Sequence, residues 1–183
     1  MHRDLVERAM AGDRDAFTEL TRLSIGRLYS IARLILRDTE RAEDATQEAL
    51  VAAWRQLSAL RDPDRFDAWL RRLLVRACYR EAARDKQQQR IVAQFRPTEI
   101  GMVDPGIALA DRDQLERGFS RLAPEQRALI VLHYYLGLPM HETAEILGLP
   151  IGTVKSRLSR TTQQMRATLE ADARLPHTDR GPA

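Results

Sequence analysis

The segment 140–158 restricts the possible fold more than any other part of the chain. Apolar residues at helical spacing over 140–147 are followed at once by Gly148, and glycine commonly ends helices. A second helical run begins near Ile151. Two short helices separated by a tight turn form a helix-turn-helix, the second helix of which enters the DNA major groove. The alternative is an ordinary helical hairpin with a basic exterior.

The second of these helices has one apolar and one basic side. At about 100° per residue, Val154 and Leu158 fall on the same side, which predicts that both are buried. The opposite side carries hydrogen-bond donors suited to phosphates and base edges, namely Thr153, Lys155, Ser156, Ser159 and Arg160. Because no acid interrupts this side, we interpret it as a DNA-reading surface.

The first half of the chain is also helical in pattern. Three helices are predicted there: one capped by Asp13 or Asp15 with apolar residues from Phe17 to Ile35, one from Asp38 or Thr39 to about Leu57, and one from about Asp67 to Gln89. Aromatic residues make up only 5% of the chain, and alternating strand patterns are few. The sequence therefore predicts an all-α fold.

Helical periodicity fails over residues 91–110, where prolines and glycines interrupt the chain. We predict two small helical domains, at 1–90 and 111–172, joined by a flexible linker over 91–110. A short helix within that linker is the alternative. Residues 173–183 are predicted to be a frayed tail.

Charge is distributed unevenly, although the formal net charge is only +3. Residues 65–90 hold eight bases and three acids, and residues 150–168 hold four bases and no acid. Residues 38–48 hold five acids and one base. A basic segment in each half favours a polyanionic partner, whereas any one segment alone is typical of a solvated helix face.

The acidic helix has three distinct sides. These are a polar stripe of Asp44, Glu48 and Arg55, a bulky apolar side of Leu50, Val51, Trp54 and Leu57, and a strip of small residues at Ala42, Ala45, Ala49 and Ala53. The small strip would let another helix approach closely. Two interpretations stay open: a helix buried in a bundle with one wet stripe, which the sequence favours, and a surface that docks on another helix.

Phe66 and Trp69 lie at the start of the basic helix, beside its arginines. Aromatic faces next to arginine suit the unstacked bases of single-stranded nucleic acid. Packing of both rings in the core of a bundle is an equally good interpretation.

Several classes of function are disfavoured. The single Cys78 excludes an internal disulfide framework, and the four histidines lack zinc-ligand spacing. The chain has no glycine-rich phosphate loop, no apolar run near the roughly 20 residues of a bilayer span, and no signal-peptide core. We expect a cytoplasmic protein that is not an enzyme, with no catalytic residue, metal, cofactor, small-molecule substrate or membrane insertion. Cys78 is interpreted as a small core residue.

Taken in order, the motifs resemble those of bacterial RNA polymerase sigma factors, in the extracytoplasmic-function (ECF) group of the sigma-70 family. GDRDAF at 12–17, DATQEA at 44–49 with Trp54, and RFDAWL at 65–70 resemble region 2, whereas LAPEQR at 122–127 and GTVKSRLSR at 152–160 resemble region 4. The resemblance covers roughly residues 5–90 and 111–170. Region 4 alone also resembles other helix-turn-helix regulators, but regions 2 and 4 together, in this order, are far more specific for sigma factors.

The resemblance implies a factor that binds core RNA polymerase and directs initiation at particular promoters. Region 2 would dock on the clamp helices of the largest subunit, recognise the minus-10 element and capture flipped bases. Region 4 would read the minus-35 element and contact the flap of the second-largest subunit, with the linker running toward the RNA exit path. Members are often held by an anti-sigma factor, and nothing in this sequence identifies one.

Residue by residue, the resemblance implies three sets. The core-binding set is Asp44, Gln47 and Glu48; the minus-10 set is Arg65, Phe66, Trp69, Arg72, Arg76 and Arg80; the minus-35 set is Thr153, Lys155, Ser156, Arg157, Ser159 and Arg160. Many relatives carry asparagine and an acid where this chain has Arg76 and Arg80. Base preferences at the minus-10 element are therefore not carried over.

Two other functions stay open at this point. The first is a helix-turn-helix regulator that binds duplex DNA without being a polymerase subunit, and the second is a protein that only binds other proteins. A regulator binds promoter DNA alone, whereas a sigma factor largely requires core polymerase.

Overall fold

The computed structural model describes residues 3–95 and 110–173 of the chain, and within these ranges it contains helices and no strand. The helices are α1 (Arg3–Met10), α2 (Arg14–Leu36), α3 (Thr39–Gln56), α4 (Phe66–Phe95), α5 (Ala110–Ser120), α6 (Pro124–Ile130), α7 (Met140–Leu147) and α8 (Ile151–Ala173). Two 3-10 turns, Leu57–Ala59 and Pro63–Arg65, connect α3 to α4, and a π-helical segment, Val131–Tyr135, continues α6. The predicted all-α fold is confirmed.

The helix starts follow from local capping. The Asp13 carboxylate accepts a hydrogen bond from the backbone N–H of Ala16 at 3.0 Å, and Asp38 accepts one from Arg41 at 2.9 Å. Each bond satisfies a donor that has no partner within the first turn of its helix. Of the cap residues that the sequence allowed, the structure uses Asp13 and Asp38.

One helix and one helix boundary differ from the prediction. Helix α1 was not predicted, because its eight residues bury only Val6 and Ala9 and show too short an apolar pattern. Helix α4 continues to Phe95, so the first residues of the predicted linker are helical. Residues 96–109 of that linker and residues 174–183 of the predicted tail lie outside the described residues.

Helices α2, α3 and α4 form the core of the first half. The apolar side that was predicted for α2 is buried, including Leu20, Leu28, Ile31 and Ile35. The four alanines of the small strip on α3 are fully buried, and α3 packs most extensively against α4. The small strip is therefore buried inside the bundle, where α3 packs on both α4 and α2.

The two halves of the molecule pack against each other. Helix α6 contacts α2 and α4, and α7 contacts α4. Val131, Leu132 and Ile146 from the second half are buried in the same apolar cluster as the core of the first half. An ion pair of 2.8 Å between Arg37 and Glu116 also joins the halves. The two halves are therefore in contact: part of the second half joins the large apolar core of the first, and the rest packs around a smaller core of its own.

Candidate nucleic-acid and protein interfaces

Helices α7 and α8 form the predicted helix-turn-helix. Gly148 ends α7 in the left-handed conformation, with φ of 66°, which glycine adopts without steric cost. The backbone N–H of Leu149 then donates to the carbonyl of Ala144 at 3.0 Å and closes the turn. Val154 and Leu158 are buried with Leu129 in a small second core, as the helical spacing predicted.

The outward side of α8 is open to solvent. Lys155, Ser156, Arg157, Ser159 and Arg160 are exposed, and Thr153 is partly buried. The Ser156 hydroxyl donates to the carbonyl of Thr153 at 3.0 Å, within the first turn. Cationic and hydroxyl side chains on one exposed face, beside a helix N-terminus, form a surface on which duplex DNA can lie.

The basic helix α4 divides its arginines between two environments. Arg76 and Arg80 are exposed, whereas Arg71 and Arg72 are partly buried and each has an Nε atom with no hydrogen-bond partner. Burial lowers the pKa of Arg71, and the nearby acids Asp67 and Glu142 oppose that shift. Arg65, in the turn before α4, forms an ion pair with Glu145 of α7.

The two aromatic residues at the start of α4 are not equivalent. Phe66 is only 6% exposed and belongs to the apolar core, whereas Trp69 is partly exposed. Their ring centroids lie 6.0 Å apart. Of the two, Trp69 alone presents part of its ring to solvent, and Phe66 packs beneath it.

The acidic stripe of α3 is less open than its sequence suggests. Asp44 and Gln47 are exposed, but Glu48 is partly buried and accepts a hydrogen bond from the Arg80 Nε at 2.9 Å. Arg84 approaches the other Glu48 oxygen to 3.9 Å. Of the two acids on this stripe, Glu48 is therefore paired with α4, whereas Asp44 is exposed.

An apolar groove between α2 and α3 lies beside this stripe, and the sequence did not reveal it. The groove has a volume of about 800 Å³ and is lined by Phe17, Thr21, Ile25, Gly26, Tyr29, Glu43, Thr46, Gln47, Leu50, Val51 and Trp54. Val51 and Trp54 are each 42% exposed, although the bulky side of α3 is apolar. The Phe17 and Trp54 rings, which both line the groove, lie 4.9 Å apart.

The bulky side of α3 could have indicated this groove. An apolar side that is not needed for the packing of α3 on α4 is typical of a surface that another molecule covers. The small strip of α3 is buried in the bundle, whereas docking of another helix on its bulky side stays a prediction. On that side Leu57 is buried, Leu50 is partly buried, and Val51 and Trp54 are exposed.

The described side chains contain no group of three or more His, Cys, Asp or Glu residues placed to share a metal ion. Cys78 is fully buried, and burial raises the pKa of its thiol to about 12. A thiol in that environment is unreactive, which agrees with its interpretation as a core residue. In the described part of the chain, no helix combines the length and the apolar character needed to cross a membrane.

The sequence matches two family models. Residues 21–88 match "Sigma-70 region 2", and residues 112–165 match "Sigma-70, region 4". These two matches include most of α2 and α4, all of α3 and the helix-turn-helix, so they cover the groove except for Phe17, most of the basic helix and the exposed side of α8.

Among characterised proteins, the ECF RNA polymerase sigma factor SigM of Mycobacterium tuberculosis is 33% identical over 167 residues, which are 91% of this chain and 83% of SigM. The ECF RNA polymerase sigma factor SigW of Bacillus subtilis is 25% identical over 176 residues, which are 90% of this chain and 94% of SigW.

Two solved structures have a similar fold. One is CnrH in complex with the cytosolic domain of CnrY, with a TM-score of 0.64 and 29% identity over 93% of this chain and 97% of that one. The other is the sigma factor RpoE in complex with the anti-sigma factor NepR from Bartonella quintana. Its TM-score is 0.65, with 25% identity over 85% of this chain and 98% of that one.

Proposed function

The chain belongs to the ECF group of the sigma-70 family of RNA polymerase factors, and from this membership we propose which of its surfaces meet the polymerase and the promoter. It is an RNA polymerase sigma factor and takes part in transcription initiation. The observation that carries the assignment is the presence of regions 2 and 4 in one chain and in that order.

We propose that the groove between α2 and α3 is the main contact with core polymerase, with Asp44 and Gln47 at its edge. The groove is apolar and open to solvent, and desolvation of such a surface is the main source of binding free energy. The exposed carboxylate of Asp44 adds orientation, because a charge at the rim mainly sets which partner approaches and how. Glu48 acts mainly within the chain, where its ion pair with Arg80 holds α3 against α4 beside this surface.

For the minus-10 element, we propose that the exposed arginines of α4 hold the backbone of a single strand while Trp69 stacks on an unpaired base. Arg76 and Arg80 are exposed on the same helix as Trp69, which gives the combination of cations and an aromatic face that single strands bind. Phe66 then acts by holding the Trp69 ring in place from the core.

For the minus-35 element, we propose that α8 lies in the major groove. The exposed side chains of Lys155 and Arg160 are long enough to reach phosphates or guanine edges, and Ser156 and Ser159 are suited to either. The packing of Val154 and Leu158 against the rest of the second half fixes which side of α8 points outward.

We also propose that an anti-sigma factor binds this chain, as one binds RpoE of Bartonella quintana in its solved complex. A partner that blocks access to core must cover the groove. Val51→Lys, which places a charge in the groove without removing a core residue, is then expected to weaken binding of core and of the anti-sigma factor together.

In vitro transcription tests the function directly. The purified chain is added to core polymerase on fragments of the genome of its source organism, and we expect transcripts from a small set of promoters that core alone does not use. Binding to those promoters is then measured with and without core. Equal binding of the duplex by the chain alone, with no dependence on core, would show a conventional regulator instead.

A further inference from the structure

A cleft of about 280 Å³ lies between the start of α6 and the middle of α8. Glu125 and Gln126 line it from α6, and Arg157, Arg160 and Thr161 line it from α8. The two arginines and the acid are exposed, so the charged part of the lining holds two positive charges and one negative charge. This surplus of positive charge favours an anion as the ligand of the cleft.

The hydroxyl of Thr161 is free to bind such a ligand. Thr161 is only 1% exposed, and no hydrogen bond within the described residues uses its side chain. The next residue differs, because the Thr162 hydroxyl donates to the carbonyl of Leu158 at 3.0 Å. A buried hydroxyl without a partner is costly, and an acceptor oxygen in the cleft would satisfy it.

Contacts within the chain hold the two walls of the cleft at a fixed separation. The Gln126 amide nitrogen donates to the side-chain oxygen of Gln164 on α8 at 2.8 Å. Its amide oxygen accepts a hydrogen bond from the backbone N–H of Ala123 at 3.0 Å. Leu129 of α6 is buried with Leu158 of α8 in the small second core. Because these walls are already fixed, a ligand that enters the cleft orders few additional groups, which favours binding.

The place of the cleft on α8 indicates which anion it meets. An α-helix with its side chains is about 10–12 Å across, close to the roughly 12 Å width of the major groove. A helix in that groove therefore faces the bases with its outward side and a phosphate backbone with each flank. At about 100° per residue, Lys155 and Arg157 lie on opposite flanks, with the outward Ser156 between them. The cleft thus opens on the flank of α8 that faces one of the two strands.

We propose that this cleft binds one backbone phosphate of the promoter duplex, with the Arg157 guanidinium and the Thr161 hydroxyl as donors to its non-bridging oxygens. The proposal rests on the placement of α8 in the major groove. The volume of the cleft is several times the roughly 30 Å³ that a water occupies in the liquid, which leaves space for a phosphate group. Arg160, which is nearer the outward side, stays available for a base.

A phosphate bound in this way would fix how α8 sits in the groove. Phosphate contacts carry no sequence information directly, but they set the register and orientation of a protein on the duplex. Arg157 and Thr161 are therefore positioning residues for the minus-35 element, and Lys155 meets the other strand.

The test replaces single phosphates of the promoter by neutral methylphosphonates and measures the affinity of the holoenzyme for each duplex. The duplexes carry the minus-35 element of a promoter found by in vitro transcription, and every phosphate on both strands is replaced in turn. The variants are Arg157→Gln and Thr161→Val, which remove one charge and one hydroxyl. The matched controls are Arg166→Gln, at an exposed position further along α8, and Thr162→Val, at a hydroxyl that is already bonded.

For the parent, we expect that one phosphate beside the cleft weakens binding when it is made neutral. In Arg157→Gln, loss of the charge on that same phosphate is expected to have no further effect, whereas the other phosphates keep theirs. The salt slope of this variant is expected to fall by about one. The control variants are expected to give the phosphate pattern of the parent.

Thr161→Val separates binding from stability. Valine has nearly the shape of threonine and leaves no buried hydroxyl without a partner, so Tm is expected to stay at or above the parent value. Promoter affinity is expected to fall by about tenfold, because a hydrogen bond to a charged phosphate is lost.

Four results would overturn the proposal. They are a pattern in which Arg157→Gln masks no phosphate, equal masking by Arg166→Gln, parental affinity of Thr161→Val, and loss of Tm together with affinity in Thr161→Val. Single-base changes in the minus-35 element, measured on the parent holoenzyme, test the placement of α8 separately. If the bases matter and the phosphate pattern fails, the cleft is wrong and the placement of α8 stands. If neither bases nor phosphates matter, α8 does not lie in the major groove, and both proposals are wrong.

Discussion

Charge reversal at two neighbouring acids of α3 separates binding to core from stability of the fold. Asp44 and Glu48 lie one helical turn apart, but only Glu48 pairs with α4, through Arg80 at 2.9 Å. Asp44→Lys is expected to weaken core binding and leave the fold intact. Glu48→Lys is expected to destabilise the fold, because it places a third cation beside Arg80 and Arg84.

The size of the Glu48→Lys effect follows from two contributions. The lost pair is partly exposed, with side chains 33% and 46% accessible, and such pairs contribute about 0.2–1 kcal/mol. Like charges about 4 Å apart repel by about 1 kcal/mol in water and about 4 kcal/mol at the effective dielectric of a protein surface. Because the new lysine is flexible and can turn toward solvent, we expect a total near 1–3 kcal/mol. For a chain of this size that lowers Tm by roughly 2–12 °C.

Thermal unfolding and titration of core polymerase measure the two effects independently. We expect Asp44→Lys to keep the free energy of unfolding within about 0.5 kcal/mol of the parent and to lose about tenfold in core affinity. Exchange of the pair, with Glu48→Arg and Arg80→Glu together, is expected to recover most of the stability that Glu48→Lys loses. If Glu48→Lys unfolds at the parent temperature, the pair with α4 contributes nothing. If Asp44→Lys binds core as tightly as the parent, the rim of the groove is misplaced.

Three further predictions concern the promoter surfaces and the core. Trp69→Ala should reduce permanganate reactivity of minus-10 thymines more than initial promoter binding, since stacking on a base contributes about 1–3 kcal/mol; equal loss of both would favour a purely structural role. Arg160→Ala should relax preference at one minus-35 position at a cost of about 1–3 kcal/mol, whereas Lys155→Ala should weaken all promoters alike and reduce the salt slope by about one. The two outcomes are distinguished by measuring the affinity of each protein variant for promoters with single-base changes at two salt concentrations. If neither Arg160→Ala nor Lys155→Ala changes promoter preference or salt dependence, α8 does not recognise the minus-35 element. Cys78, with its pKa raised to about 12, should react with a thiol reagent at pH 8 only as fast as the chain unfolds; rapid labelling of the folded protein would contradict its burial.

Local rules accounted for much of what the structure contains. Capping by Asp13 and Asp38, the left-handed Gly148 after α7, and burial of Val154 and Leu158 on α8 all follow from residues within one or two turns of each other. Helical periodicity and capping are properties of adjacent residues, so a single sequence expresses them fully. The same is true of the outward side of α8, which is simply the side opposite its buried one.

Pairing between distant segments was not predictable in this way. The alanine strip of α3 indicated that another helix packs closely there, but it did not indicate which one. The acidic stripe gave no indication that Glu48 would form an ion pair with Arg80. Phe66 and Trp69 lie about one turn apart on α4, and the sequence did not distinguish them. In the structure Phe66 is buried in the core, whereas Trp69 is partly exposed.

The sequence by itself therefore determined most of the helices, but not α1 or the end of α4. It also determined the caps at Asp13 and Asp38, the charge that each helix carries, and the two sigma regions in their order. The tertiary structure alone decided that an apolar groove opens between α2 and α3, that Glu48 faces α4, and that α7 covers Arg65 and its neighbours. The physical reason is the range of the interactions. Helix formation and capping depend on residues a few positions apart. The walls of the groove come from two different helices, and the Arg65–Glu145 ion pair joins side chains eighty residues apart, so both exist only once the chain has packed.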